Sequence, residues 1–208
     1  MSSLTLYSHP QSGHAHRVEL LLSLLELSYR RLDVDLAKRA NRAPEFLRLN
    51  PLGEVPLLMD GERRIAESNA ILVYLARREN RTDWLPLNAA GLANVETWLS
   101  RAADKLSYGI AKARLIKLFG LKGDLQEAQA RGVRLLRAAE EHLGAQPYLV
   151  GHRPTIADLA IYSYAALAEE AGIDMSKFRQ VAAWIGTIES LPKFVPLRRV
   201  GTTPPPGL

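Results

Sequence analysis

The chain has 208 residues, 47% hydrophobic and 24% charged, a mixture that builds a globular core in one or two domains. Its 27 Lys and Arg against 22 Asp and Glu give a formal charge of +5, which suits an anionic ligand; the arginine pairs are scattered as solvated edges, which argues against nucleic acid. Cysteine is absent, which excludes disulfides, thiolate metal sites and a protein cysteine nucleophile.

In chain order, "SLTLY" reads as a short strand. The polar break "SHPQSGH" interrupts any signal-like pattern, and no apolar run reaches the ~18 residues of a membrane span, so no membrane role and a cytoplasmic location are expected. Val18 to Leu27 recur apolar at helical spacing. Tyr29, Leu32, Val34 and Leu36 alternate as a second strand. "APEFLRLN" is a short helix with Pro44 in its first turn. "VPLLMDGERRIAE" is a hairpin turned at Asp60-Gly61, and "SNAILVYLARREN" a helix with Ile71, Leu72 and Leu75 inward. The order β-α-β-α-β-β-α defines a layered α/β domain over residues 1–80. The turn-rich stretch 81–90 is the linker, and 91–208 form an all-α helical bundle. Within it, "TIADLAIYSYAALAEEA" is apolar nearly all round and belongs at the centre, while the tail "GTTPPPGL" is extended.

Three motifs carry chemistry or specific geometry. In "NPLGEVPLL", Pro56 stands at the head of a strand although proline cannot donate to a ladder. A cis bond there would turn the Val55 N–H and C=O outward, as a docking edge for an extended peptide; the plain alternative is a turn. In "AESNAI", Ser68 opens a helix whose first amides lack intrahelical partners, a place for a carboxylate, and Glu67 beside it suits an ammonium. Together they match a zwitterionic amino-acid head, the plain alternative being a helix cap. In "PTIADLAIY", Thr155 and Asp158 have capping-box spacing, a structural role.

With "ESNAILVYL" and "YLVGHRPTIADLAIY", the "NPLGEVPLL" loop resembles the soluble glutathione transferase family over nearly the whole chain. The resemblance implies a thioredoxin-like first domain, cis Pro56, and glutathione as co-substrate with no further cofactor. It implies that Val55 pairs with the cysteinyl backbone and that Glu67 and Ser68 hold the γ-glutamyl end. It also implies a homodimer.

The nucleophile is then the ligand's own thiol, whose pKa of ~8.5 requires a donor that stabilises the thiolate. Family members use a Tyr, Ser or Cys after strand one. Ser12 falls at the serine-type position and is the choice here; Tyr7 and His14 remain alternatives, and "SGH" departs from the family's commoner sequences. His9, His14 and His16 invite a metal reading, but none is expected: His14 and His16 cannot share a helix face, and no Cys or acidic ligand lies at a suitable spacing. Of Lys38, Arg39 and Arg42, Arg39 is chosen for the glycyl carboxylate, and the electrophile pocket is expected near Tyr108 to Leu115. The expected reaction joins glutathione to small hydrophobic electrophiles. Glutathione-dependent peroxide reduction, dehalogenation or isomerisation on the same fold, and a non-catalytic interaction module, are the alternatives.

Overall fold

The computed structural model describes residues 4–200, so the tail "GTTPPPGL" lies outside the described residues. In β1 (Leu4–Ser8) the alternation of "LTLYS" buries Leu4, Leu6 and Ser8 and turns Thr5 and Tyr7 to the other face. Helix α1 (Gly13–Leu24) crosses back over the sheet, so β2 (Tyr29–Asp33) runs parallel to β1. The sequence alternation reaches Leu36, but the strand stops at Asp33. The Val34 N–H donates to the Ser8 carbonyl at 2.8 Å, and the Asp35 carboxylate then accepts the Lys38 amide at 3.0 Å, which starts a turn.

Helix α2 (Pro44–Leu49) carries proline in its first turn, where no amide proton is needed. Strands β3 (Leu57–Asp60) and β4 (Arg63–Ala66) form the hairpin, with Gly61 at φ 59°. Both β1/β3 and β3/β4 are antiparallel, giving the sheet order β2-β1-β3-β4. Helices α1 and α3 (Ser68–Arg78) pack together on one face and bury Leu20, Leu21, Ile71, Leu72 and Leu75. On the other face Phe46 of α2 meets the Tyr7 ring edge-on at 5.8 Å. This is the thioredoxin-like arrangement, β-α-β-α-β-β-α.

The remainder is helical. Helix α4 (Ala89–Arg101), a π-helical segment (Ala102–Ala111) and α5 (Lys112–Phe119) form one continuous rod. Hydrophobic periodicity foretells the rod but not its wide middle. There the Ser107 hydroxyl donates to the Ala102 carbonyl, five residues back, at 2.9 Å. The rod crosses α6 (Leu125–Leu143) at two glycines: a Cβ on Gly109 would lie 2.6 Å from the Gly132 nitrogen, so only glycine lets the backbones meet.

Every residue of α7 (Ile156–Ala165) is buried, the central position its composition implies. It is shorter than the apolar run, however. Beyond Ala165 the chain tightens into turns, with the Leu167 N–H on the Tyr164 carbonyl at 3.0 Å. At its start, Asp158 accepts from the Thr155 N–H (2.8 Å), the Thr155 hydroxyl (3.1 Å), the Leu149 N–H (2.9 Å) and the Trp184 indole (3.0 Å). Burial pushes the Asp158 carboxyl above its ordinary range, and these four donors pull it back. Thr155 Oγ1 accepts from the Ala157 N–H at 3.3 Å, and through Leu149 and Trp184 the Asp158 carboxylate also ties down the loop before α7 and the last helix, α8 (Arg179–Glu189).

One hydrophobic cluster runs through both halves, from Leu6, Leu21 and Leu72 to Leu106, Leu136 and Ile161. Each fully buried leucine in it contributes roughly 1.5–3 kcal/mol. Helix α7 packs on both α1 and α3, which fixes the helical domain against the first domain where the candidate site lies. Among the described residues no helix is long and apolar enough to cross a membrane.

Candidate functional site

The strand register gathers the predicted residues at one end of the sheet. Tyr7, near the end of β1, pairs with Leu57, the first residue of β3; Leu57 pairs in turn with Ala66, the last of β4. The loop to Ser12, the Val55-Pro56 step and the Glu67-Ser68 step therefore leave from neighbouring points. Strands lie ~4.8 Å apart, so the three strands span ~10 Å, the length of an extended tripeptide.

At the first of these points Ser12 is the N-cap of α1, and its Oγ accepts from the Ala15 N–H at 3.2 Å. The hydroxyl proton is left to donate outward. The other first-turn amides of α1 are engaged from α7: those of Gly13 and His14 meet the Tyr164 hydroxyl. This contact demands Gly13, because a Cβ there would lie 2.7 Å from the Ser163 carbonyl oxygen and 2.8 Å from Tyr164 Cε2. Burial raises the Tyr164 pKa, so the phenol stays neutral.

At the second point the Val55-Pro56 peptide is cis. Among the described residues the Val55 N–H and C=O have no partner. The loop around them is braced. Buried Asn50 donates to the Glu54 carbonyl (2.9 Å) and accepts from the Leu52 N–H (3.2 Å). Asn41 donates to the Gly53 carbonyl at 2.8 Å, and Arg42 to the Leu52 carbonyl at 3.0 Å. Gly53, at φ 62°, has no room for a side chain: a Cβ would lie 2.7 Å from the Asn41 oxygen.

At the third point Glu67 is held at φ 65°, ψ 115°, a left-handed conformation that costs ~1–3 kcal/mol in a non-glycine residue and clusters at functional positions. Its carboxylate is exposed and, among the described residues, without a partner. Ser68 behind it is buried, and the Ser68, Asn69 and Ala70 amides at the positive end of α3 have no partner among the described residues. An acid beside open helix amides and a hydroxyl can receive an ammonium and a carboxylate side by side.

The remaining candidates lie as follows. Tyr7 is packed on Phe46 across the sheet face opposite α1. His14 is partly buried with its ring on Tyr164 at 4.9 Å; burial and the Arg17 guanidinium push its pKa down to about 3, so the imidazole is neutral near pH 7. Tyr108 is 59% exposed on the π segment. Arg39 is exposed at φ 56° with no side-chain partner among the described residues, whereas Lys38 pairs with Asp35 and Arg42 braces the loop. His16 Nε2 lies 2.7 Å from the Val195 carbonyl. Among the described residues no three His, Asp or Glu side chains converge on a metal-sized point.

Three buried residues escape a reading of the sequence. Arg17 reaches from α1 to Ser68, Asn69 and Ser163. Tyr164 holds the start of α1. Arg114 of α5 pairs with Glu170 at 2.6 Å and donates to the Gln11 carbonyl at 3.0 Å, beside Ser12. The two arginines sit within otherwise helical patterns, where charge signals exposure; only their unpaired place on a buried face hints otherwise.

Comparison with known proteins agrees with this architecture. The family model described as "Glutathione S-transferase, N-terminal domain" matches residues 2–77, and "Glutathione S-transferase, C-terminal domain" matches 97–192. Glutathione S-transferase 3 of Zea mays is 32% identical over 167 residues, 76% of this chain and 75% of that one. Elongation factor 1-gamma 3 of Oryza sativa subsp. japonica is 28% identical over 204 residues; this chain spans 48% of that protein's length. The crystal structure of a glutathione S-transferase from Pseudomonas fluorescens superposes with a TM-score of 0.89 at 33% identity, over 94% of this chain and 99% of that one. The chain belongs to the glutathione S-transferase family, a family of transferase enzymes.

Proposed function

We propose that the protein conjugates glutathione to small hydrophobic electrophiles in the cytoplasm, acting as a homodimer. The observation that carries this reading is the convergence, at one end of the sheet, of Ser12, the unpaired Val55 backbone and the Glu67-Ser68 head of α3. The tripeptide lies extended along that end. Val55 pairs with the cysteinyl backbone, Ser68 and the α3 amides take the γ-glutamyl carboxylate, Glu67 takes its ammonium, and Arg39 faces the glycyl carboxylate. The Ser12 hydroxyl donates to the sulfur and stabilises the thiolate. The thiolate then attacks the electrophilic carbon; with an aryl halide, the S–C bond forms as halide leaves. Tyr7 is a poorer donor because it packs against Phe46, and neutral His14 can donate a hydrogen bond but lends no charge. Tyr108 and Leu115 are exposed apolar surface on the rod and suit the electrophile side. Residues 1–80, 81–90 and 91–208 serve as glutathione domain, linker and helical domain.

The test is calorimetric titration with glutathione followed by turnover on aryl halides, epoxides and peroxides. Ser12→Ala should lower turnover at least tenfold with glutathione affinity unchanged; unchanged turnover removes Ser12 from the role. The likeness to elongation factor 1-gamma 3 favours a second reading, a non-catalytic interaction module. Absence of binding heat up to several millimolar glutathione would select it.

A further inference from the structure

Arg17 is 1% exposed, and all its hydrogen bonds go to neutral oxygens. Nε and Nη2 donate to Ser163 Oγ at 3.1 and 2.8 Å, and Nη1 donates to Ser68 Oγ at 3.3 Å and to Asn69 Oδ1 at 2.8 Å. Among the described residues no carboxylate pairs with it. The chain's other deeply buried guanidinium, Arg114, has Glu170 at 2.6 Å. A buried cation without a counter-ion is costly, and burial lowers the Arg17 pKa to about 10.

The surroundings aim this charge at the head of α3. The Asn69 side-chain nitrogen is anchored on the Leu99 carbonyl at 2.9 Å, which turns its oxygen toward Arg17. Ser68 Oγ accepts from Arg17, which leaves its own proton for an acceptor beyond. Beyond it lie the open amides of α3, and on the solvent side the Glu67 carboxylate. A zwitterion at this point would have a cation behind its carboxylate and an anion beside its ammonium.

We infer that Arg17 is a positioning residue for the γ-glutamyl α-carboxylate of the substrate, acting through Ser68, and that this carboxylate is the counter-ion the buried guanidinium lacks. The inference rests on the glutathione reading above. It explains Ser68 as a hydroxyl held in the donor role. It also ties recognition of the γ-glutamyl end to a residue of α1, the helix that carries Ser12.

The experiment titrates three thiol peptides into the wild type and into Arg17→Gln, Arg17→Met and Arg17→Lys. They are glutathione, γ-aminobutyryl-cysteinyl-glycine, which lacks only the α-carboxylate, and glutaryl-cysteinyl-glycine, which lacks only the amine. The wild type should prefer glutathione to the carboxylate-free peptide by roughly 30-fold, as for a charge-assisted hydrogen bond. In the two neutral variants that preference should fall about tenfold, while the preference over the amine-free peptide stays within about twofold. Arg17→Lys should recover most of the lost preference; in the two neutral variants KM for glutathione should rise with kcat nearly unchanged. A wild type that binds no glutathione removes the underlying reading. A wild type that binds, with neutral variants that keep the full carboxylate preference, overturns the role of Arg17 alone. If neither neutral variant folds by circular dichroism, Arg17 is a framework residue and the assignment also falls.

Discussion

Gly13→Ala tests how tightly the second domain sets the start of α1. The new Cβ would lie 2.7 Å from the Ser163 carbonyl oxygen and 2.8 and 2.9 Å from Tyr164 Cε2 and Cζ. Ordinary contact begins near 3.4 Å, so the shortfall is about 0.7 Å. Neither obstacle yields easily: one is backbone inside α7, the other a buried ring. The first turn of α1 must move away instead. Overpacking of this kind costs roughly 1–3 kcal/mol. Replacing glycine by alanine in a helix returns at most ~1 kcal/mol. The net expectation is a loss of about 1–2 kcal/mol, read from urea unfolding midpoints at constant slope. The same displacement moves Ser12, the proposed thiolate donor one residue away, and misplacement of such a group by ~1 Å costs roughly a hundredfold in rate. Turnover should therefore fall about tenfold or more. A variant as stable as the wild type, with unchanged turnover, refutes the reasoning, because it would mean that α1 and α7 are not in the contact described.

Asp158→Ala should destabilise by about 3–5 kcal/mol, since it strands the Leu149 and Thr155 amides, the Thr155 hydroxyl and the Trp184 indole in the core. Chemical denaturation measures this, and glutathione affinity of the folded fraction should be unchanged. Burial lowers the pKa of His14 to about 3 and that of His16 as well, so the unfolded chain binds more protons as pH falls below about 6.5. Stability should then be full above pH 6.5 and decline as pH falls, for His14 down to about pH 3, by at most ~1.4 kcal/mol per pH unit for each group. His14→Gln should flatten that slope between pH 4.5 and 6.5, and an unchanged slope would contradict the burial of this ring. Arg39→Ala should weaken glutathione several-fold but leave its glycyl methyl ester unaffected; equal losses for both ligands would remove Arg39 from the site.

Local chemistry made much of the fold legible. Asp60-Gly61 sets a hairpin, Pro44 opens a helix, and the apolar run from Ile156 marks a buried one, because each depends on near neighbours alone. Where a distant partner decides, the sequence misleads. β2 stops at Asp33 because its partner β1 ends at Ser8 and Asp35 then starts a turn, and α7 ends six residues before its apolar run does. The π segment follows no periodicity rule; it coincides with a backbone crossing between Gly109 and Gly132, which lie far apart in the chain. The same division holds at the candidate site. Val55, Glu67 and Ser68 sit in short motifs with a local rationale. Arg17, Tyr164 and Arg114 matter through partners 51 to 151 residues away, from Arg17 and Ser68 at the near end to Tyr164 and Gly13 at the far end, and no short motif records such a pairing.

The first domain leans on the second through several buried contacts, and two of them involve arginines. Ser163 takes two bonds from Arg17, and Arg114 holds the Gln11 carbonyl just ahead of Ser12. The elements of the thioredoxin-like half are consequently not an interchangeable cassette. Spliced onto a foreign helical partner, they would keep the sheet, the Val55 edge and the Glu67-Ser68 corner, yet lose the struts that aim Ser12 and confine Arg17. Chimaeras within this family should keep the geometry around Ser12 only when the serine of α7 and the arginine of α5 travel with the thioredoxin-like half, so under the proposed function the smallest portable unit includes part of each half.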